Sequence, residues 1–144
     1  MRILGMLKAD ASSEAGAPPS KDLIERMGVF IEEVTKAGVM LDSNGLHPSR
    51  KGKRVRLANG KITVIDGPFT ESKELVASYA FFQVKSMDEV IHWTKRFLEV
   101  LGQGECELRP IFEPEDFSKK VFTPEERKRE EATREKMRNN ARKS

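Results

Sequence analysis

Apolar residues recur at two spacings along this chain. Ile3-Leu4-Gly5-Met6-Leu7 is a short, nearly continuous apolar run, which predicts a buried strand starting at the second residue. Asp10 to Pro19, rich in Ala, Ser, Gly and Pro, predicts a loop. From about Ser20, the residues Leu23, Ile24, Met27, Phe30, Ile31 and Val34 fall on one face of a helix, and Gly38 stops it. Val39-Met40-Leu41 opens a second strand that ends near Asn44-Gly45. Leu46-His47-Pro48-Ser49 must extend or turn, because the residue before a proline avoids the helical region. Arg54 to Leu57 and Ile62 to Ile65 flank Asn59-Gly60, a strong hairpin signal. Asp66 to Glu74 predicts a loop and Val76 to Val84 the longest strand. Ser86-Met87-Asp88-Glu89 is a capping box. Behind it Met87, Val90, Ile91, Thr94, Phe97, Leu98 and Leu101 share a helix face that ends at Gly102 and Gly104. Cys106 to Phe112 alternates and predicts a half-exposed strand, with Pro110 at its edge or end.

The order is β-α-β, a hairpin, then β-α-β. Two right-handed crossovers on one antiparallel sheet make a ferredoxin-like α+β fold with both helices on one face. In the longest strand Tyr79 and Phe81 oppose Ala80 and Phe82, so both faces are apolar. The sheet face away from the helices therefore needs a cover, and a second copy of the chain is the expected one: a homodimer.

Composition separates a body from a tail. Hydrophobic residues make up 38% and charged residues 34%, which is polar for a fully compact chain of 144 residues. Of 26 bases and 23 acids, eight bases and five glutamates lie between Thr123 and Ser144, leaving a neutral body of 18 and 18. A neutral body argues against a nucleic-acid surface, because phosphate binding needs clustered positive charge. Thr123-Pro124-Glu125-Glu126 is a helix start, and Glu125–Arg129 and Glu130–Arg134 have ion-pair spacing. After Phe122 the only large apolar residue is Met137, so this helix has no face to bury. The expected organisation is a domain over 1–113, a linker over 114–122 tethered through Phe112, Phe117, Val121 and Phe122 to the body or to a partner subunit, and a charged helical tail over 123–144.

One cysteine, Cys106, excludes an intrachain disulfide and suggests a reducing compartment. With only His47 and His92 beside it, no structural zinc set is expected, and no cofactor motif is present. The N-terminus is too soon interrupted for a signal peptide, and no run nears the roughly 20 apolar residues of a membrane span. The expectation is a cytoplasmic protein.

The unusual stretch is Asp66-Gly67-Pro68-Phe69-Thr70-Glu71-Ser72-Lys73-Glu74. Gly67 and Pro68 fix a rigid turn, Phe69 can anchor it, and Asp66 then stands at a strand end, where functional groups tend to sit. Alternatively, Asp66 caps the turn itself. Arg54 and Arg56 share one sheet face and with Lys73 can bind a small carboxylate or phosphate; the bland alternative is a solvated strand face. Cys106 points inward as an inert thiol, His92 is a surface residue, and Trp93 and Val100 are peripheral packing.

This nine-residue segment, preceded by Gly45-Leu46-His47-Pro48-Ser49 and followed by a strand and a helix, closely resembles the DGPF branch of the YCII-related family over roughly Met1 to Phe112. The common motif has Ala where Thr70 stands and Thr where Ser72 stands. The resemblance implies a bacterial, dimeric α+β barrel. It also implies an enzymatic role through a His–Asp pair or, for some members, an association with sigma factors. The wider family's histidine lies on the first helix, and Ser20 to Gly38 holds none. The substitute pair is His47 with Asp66, an imidazole that moves protons and a carboxylate that fixes its tautomer.

Two functions are consistent with these residues. One is a small-molecule enzyme or binding protein with a pocket at this loop, Asp66 and His47 carrying the chemistry and Arg54, Arg56, Lys73 and Tyr79 the substrate. The other is a non-catalytic dimeric module that regulates or scaffolds a protein such as a sigma factor. Nucleic-acid binding through the tail is the weakest reading.

Overall fold

The computed structural model describes residues 1–71 and 74–142, which divide into two compact units, Met1–Ile111 and Phe112–Ser144. The first unit runs β1 (Arg2–Lys8), α1 (Ala11–Glu14), α2 (Lys21–Lys36), β2 (Met40–Gly45), β3 (Lys53–Ala58), β4 (Lys61–Asp66), β5 (Val76–Gln83), α3 (Met87–Leu101) and β6 (Cys106–Pro110). Four strands form an antiparallel sheet in the order β2-β5-β1-β6. Each helical crossover thus joins two parallel strands with one strand of the other crossover between them, the ferredoxin-like topology. The sheet is open, and the described residues close no barrel.

The helices form where the apolar stripes and caps predict. Ser20 Oγ accepts from Leu23 N at 3.1 Å and Ser86 Oγ from Glu89 N at 3.2 Å. Glu89 completes its cap one residue early, accepting from Lys85 N at 2.7 Å. Gly38 (φ +75°) and Gly102 (φ +91°) take the left-handed conformation just past the two helix ends. Both apolar stripes pack on the sheet face that carries Ile3, Phe82 and Leu108. Ile3, Val34 and Val90 are wholly buried there; burying a side chain of this size contributes roughly 1.5–3 kcal/mol. Phe30 of α2 meets Trp93 and Phe97 of α3 at 6.3 Å between ring centroids. Over these rings Arg96 forms a bidentate pair with Glu33, both bonds 2.6 Å. Trp93 and Val100 pack against the core edge.

Two short elements lie where the sequence predicts loops. Asp10 and Ser13 cap each other reciprocally (Ser13 N to Asp10 Oδ1 2.8 Å, Asp10 N to Ser13 Oγ 2.9 Å), which winds α1 as a single turn. Ser49–Lys51 forms a 3-10 turn. β5 stops at Gln83 and β6 at Pro110, each shorter than its apolar run predicts.

Among the described residues β3 and β4 pair only with each other. Asn59 (φ 52°) and Gly60 (φ +74°) make the tight turn the Asn-Gly step predicts. All twelve residues of this hairpin are exposed.

The second unit stacks Phe117 against Phe112 and Phe122, at 5.1 and 6.0 Å. α4 (Pro124–Asn140) starts on Thr123, whose Oγ1 accepts from Glu126 N at 3.2 Å, and has no buried residue. Arg127 donates to Pro114 O at 3.0 Å, fixing the first turn of α4 to the preceding segment. Arg134 pairs with Glu130 at 2.7 Å, whereas the expected Glu125–Arg129 pair does not form. Both members stand on an exposed helix, where such a pair is worth too little to hold two long side chains. Among the described residues no helix is long and apolar enough to cross a membrane.

Candidate functional site

β4 delivers Asp66 to the start of a loop whose backbone is closely held. The Gly67–Pro68 peptide is cis. Ser49 O occupies the space where a side chain on Gly67 would stand, 1.7 Å from an ideal Cβ. Glycine is therefore required here by close approach of backbone to backbone. Gly67 N donates to Gly52 O at 3.0 Å. Phe69 N donates to Ser49 Oγ at 3.0 Å, and Ser49 Oγ in turn donates to Glu14 Oε2 at 2.5 Å. Ser49 N completes the clasp, donating to Glu14 Oε1 at 3.0 Å. Bonds from the Ser49 hydroxyl and then its amide, aided by the nearby Arg50 cation, hold the Glu14 carboxyl below its ordinary value of 4.5. The clasp links residues 35 positions apart, so no local pattern announces it; only the Pro48-Ser49 step of the motif hints at half of it.

Ser49 and Glu14 thus hold the loop, and Asp66 is left free of that work. Its carboxylate is 75% exposed and, among the described residues, accepts one bond, from Lys53 Nζ at 2.5 Å. No backbone N–H of a described residue is capped by it.

The other predicted site residues disperse. His47 lies beyond the end of β2, exposed, with no hydrogen bond or ion pair to any described residue, Asp66 included. Register places Lys53, Val55, Leu57, Ile62, Val64 and Asp66 on one face of the hairpin, and Arg54, Arg56, Thr63 and Ile65 on the other. Asp66 and the two arginines therefore face opposite sides. Arg54 lies over the ring of Phe69 at 4.0 Å, so its guanidinium braces the loop. Tyr79 stands in the four-stranded sheet, edge-on to Phe81 at 5.7 Å, its hydroxyl accepting from Asn44 Nδ2 at 3.2 Å. Lys73 lies outside the described residues.

Two concavities form elsewhere in this unit. A cavity of about 60 Å³ lies between the sheet and α2 and α3, where Gly5, Ala80 and Ser43 leave space across adjacent strands. Cys106 lines it, and burial, reinforced by the Glu105 carboxylate, pushes its thiol up to about 11. A cleft of about 650 Å³ opens between the segment around α1 and the turn from α3 to β6. Asp66, His47, Arg54 and Arg56 line neither; Tyr79 borders the smaller.

The family model described as YCII-related domain matches residues 1–115. No curated protein matches the sequence significantly. Among solved structures, 5-chloro-2-hydroxyhydroquinone dehydrochlorinase from Burkholderia phenoliruptrix AC1100, in complex with 2,5-dihydroxybenzoquinone, is similar at 12% identity and a TM-score of 0.44. That likeness covers 82% of this chain and 100% of the other.

Proposed function

Since this chain belongs to the YCII-related domain family, we propose that it is a small-molecule enzyme or binding protein whose working group is the Asp66 carboxylate. The observation that carries this reading is the division of labour at the loop. Glu14, Ser49 and Gly67 hold the backbone, while Asp66 stays exposed with Lys53 as its single partner among the described residues. A carboxylate so placed can accept a hydrogen bond or a proton from a ligand O–H or N–H. His47, exposed and without a partner among the described residues, is the second proton carrier of the proposal. Arg54 and Arg56, on the reverse face, and Lys73 are its proposed anion contacts, whereas Tyr79, in the four-stranded sheet, belongs to the dimer face. No cofactor enters this reading, and the lone free thiol of Cys106 supports a cytoplasmic location.

The working form in this proposal is a homodimer. On the sheet face opposite the helices, one row reads Asp42, Phe81, Leu4, Arg109 and the next Asn44, Tyr79, Met6, Glu107. A two-fold axis along the strands sets the β2 edge of one copy over the β6 edge of its partner. That pairs the acidic end of the first row with its basic end and buries the aromatic middle.

A second reading, a non-catalytic module that binds another protein such as a sigma factor, draws on the hairpin. Val55, Leu57, Ile62 and Val64 form one apolar face, each 61–71% exposed, and such a patch marks a contact surface. A thermal-shift screen of small molecules separates the two. The enzyme reading expects compounds that raise the melting temperature of the native chain and lose that effect in Asp66→Asn. The variant itself should melt close to the native protein, since an exposed ion pair contributes only about 0–1 kcal/mol. Shifts that persist in the variant would remove Asp66 from the site and leave the module reading.

A further inference from the structure

The larger cleft plays no part in the chemistry of the Asp66 loop, and its own lining is independent of Asp66. Its volume of about 650 Å³ falls within the roughly 300–1,000 Å³ of small-molecule sites. Four elements build its apolar walls: Leu7 from β1, Pro18 and Pro19 before α2, Leu23 from α2 and Leu101 from α3. The walls are held in advance of any ligand. The Asp10–Ser13 cap fixes one end of the flanking segment, and the Glu14–Ser49 clasp fixes its middle. A site already ordered loses little entropy on binding.

Charge then narrows what would fit. The lining carries two carboxylates, Asp10 and Glu105, and one cation, Lys8. Lys8 Nζ lies 3.1 Å from Glu107 Oε1 and its side chain is only 19% exposed, so its charge is already matched. Glu105 has no hydrogen bond or ion pair to any described residue through its carboxylate, and Asp10 caps Ser13 N through one carboxylate oxygen, Oδ1. The Glu105 charge is felt inside, where it helps raise the Cys106 thiol. Ser12 and Gln103 add neutral hydrogen-bonding groups at the same mouth.

We propose that this cleft binds a small organic cation, an amine or guanidine carried on an apolar body, with Glu105 and Asp10 receiving the charge and Leu7, Leu23 and Leu101 the body. The anionic counterpart of the same body is refused, because the two lining carboxylates have no cationic partner among the described residues.

The test is an amide-resolved NMR titration of the full chain with benzylamine, benzyl alcohol and benzoate. Benzylamine should shift the amides of Ala9, Ser12, Ser13, Leu23 and Gln103 to Glu105 along one saturating curve, and benzoate should not. Glu105→Gln should weaken benzylamine at least about threefold, the loss of one exposed charge contact, and leave benzyl alcohol unchanged. Ala17→Trp, which fills the cleft from its exposed side, should abolish both. Asp66→Asn should change neither, so failure of the loop reading and failure of this one are separately visible. Benzoate binding as well as benzylamine, no saturable shift at millimolar probe, or Glu105→Gln without effect would each overturn the proposal.

Discussion

Replacing Gly67 by alanine places a methyl carbon 1.7 Å from Ser49 O and 2.6 Å from Ser49 C. Both are backbone atoms, so no side chain can swing aside. The loop must retreat from the Ser49–Lys51 turn, losing the Gly67 N–Gly52 O bond and the Phe69 N–Ser49 Oγ bond. Each is worth about 1 kcal/mol net, and repacking around an intruding methyl adds about 1–3 kcal/mol. The expected destabilisation is about 3 kcal/mol, or roughly 12 °C in melting temperature for a unit of this size. Trp93, the only tryptophan, lies against the core and reports urea unfolding by its fluorescence. Hydrogen exchange at the Gly67 and Phe69 amides supplies a local readout. Gly28→Ala is the control: it sits inside α2 with nothing within 4 Å of the new methyl, and should stabilise by about 0.5–1 kcal/mol. A Gly67→Ala protein as stable as the native one, with both amides equally protected, would refute the close approach from which the loop's rigidity is derived.

Three further outcomes are expected from the same structure. Glu14, whose folded carboxyl lies below its ordinary 4.5, stabilises the fold above that value and loses the contribution as pH falls through the depressed one. The melting-temperature gap between native protein and Glu14→Gln should therefore be full at pH 7 and close on acidification below about 4.5; a gap that widens in acid contradicts the clasp. Cys106, raised from 9.0 to about 11, should react with iodoacetamide at pH 8 about a hundredfold more slowly than in urea, two units of thiolate population. Equal rates would place the thiol in water. Phe81→Asp, in the middle of the open sheet face, should turn a micromolar dimer into a monomer by sedimentation, and a native chain that sediments as a monomer removes the dimer altogether.

The main chain's course was largely legible from residues because its determinants are local. The Leu23-to-Val34 stripe, the Ser86 cap, Gly38 and Asn59-Gly60 each act within a few positions of themselves, and each element formed. The Asp10–Ser13 cap was equally local, yet it hid inside a stretch whose Ala, Gly and Pro content speaks for a loop. The site was less legible. What secures the loop is a bond between Glu14 and Ser49, and nothing in the spacing of either residue points at the other. Period-two alternation places Arg54 and Arg56 together, as the structure does, but which hairpin face carries Asp66 depends on strand register. That register pairs Lys53 with Asp66 and so sends Asp66 to the face opposite the arginines.

The hairpin leaves and rejoins the sheet at one point. β2 and β5 are paired at Gly45–Ser78, and Leu46 N still donates to Ala77 O at 2.8 Å, so the thirty residues between Leu46 and Ala77 begin and end side by side. Such an excursion is a cassette. Joining Leu46 to Ala77 by a short turn would leave every pair of the four-stranded sheet intact except Lys8–Val76 at the end of β1. The closed segment would shrink about eightfold, easing chain closure by roughly 2 kcal/mol. Variation can therefore rewrite the whole surface around Asp66, in length as well as in chemistry, while α2, α3 and the strands beneath them continue to fold as they do now.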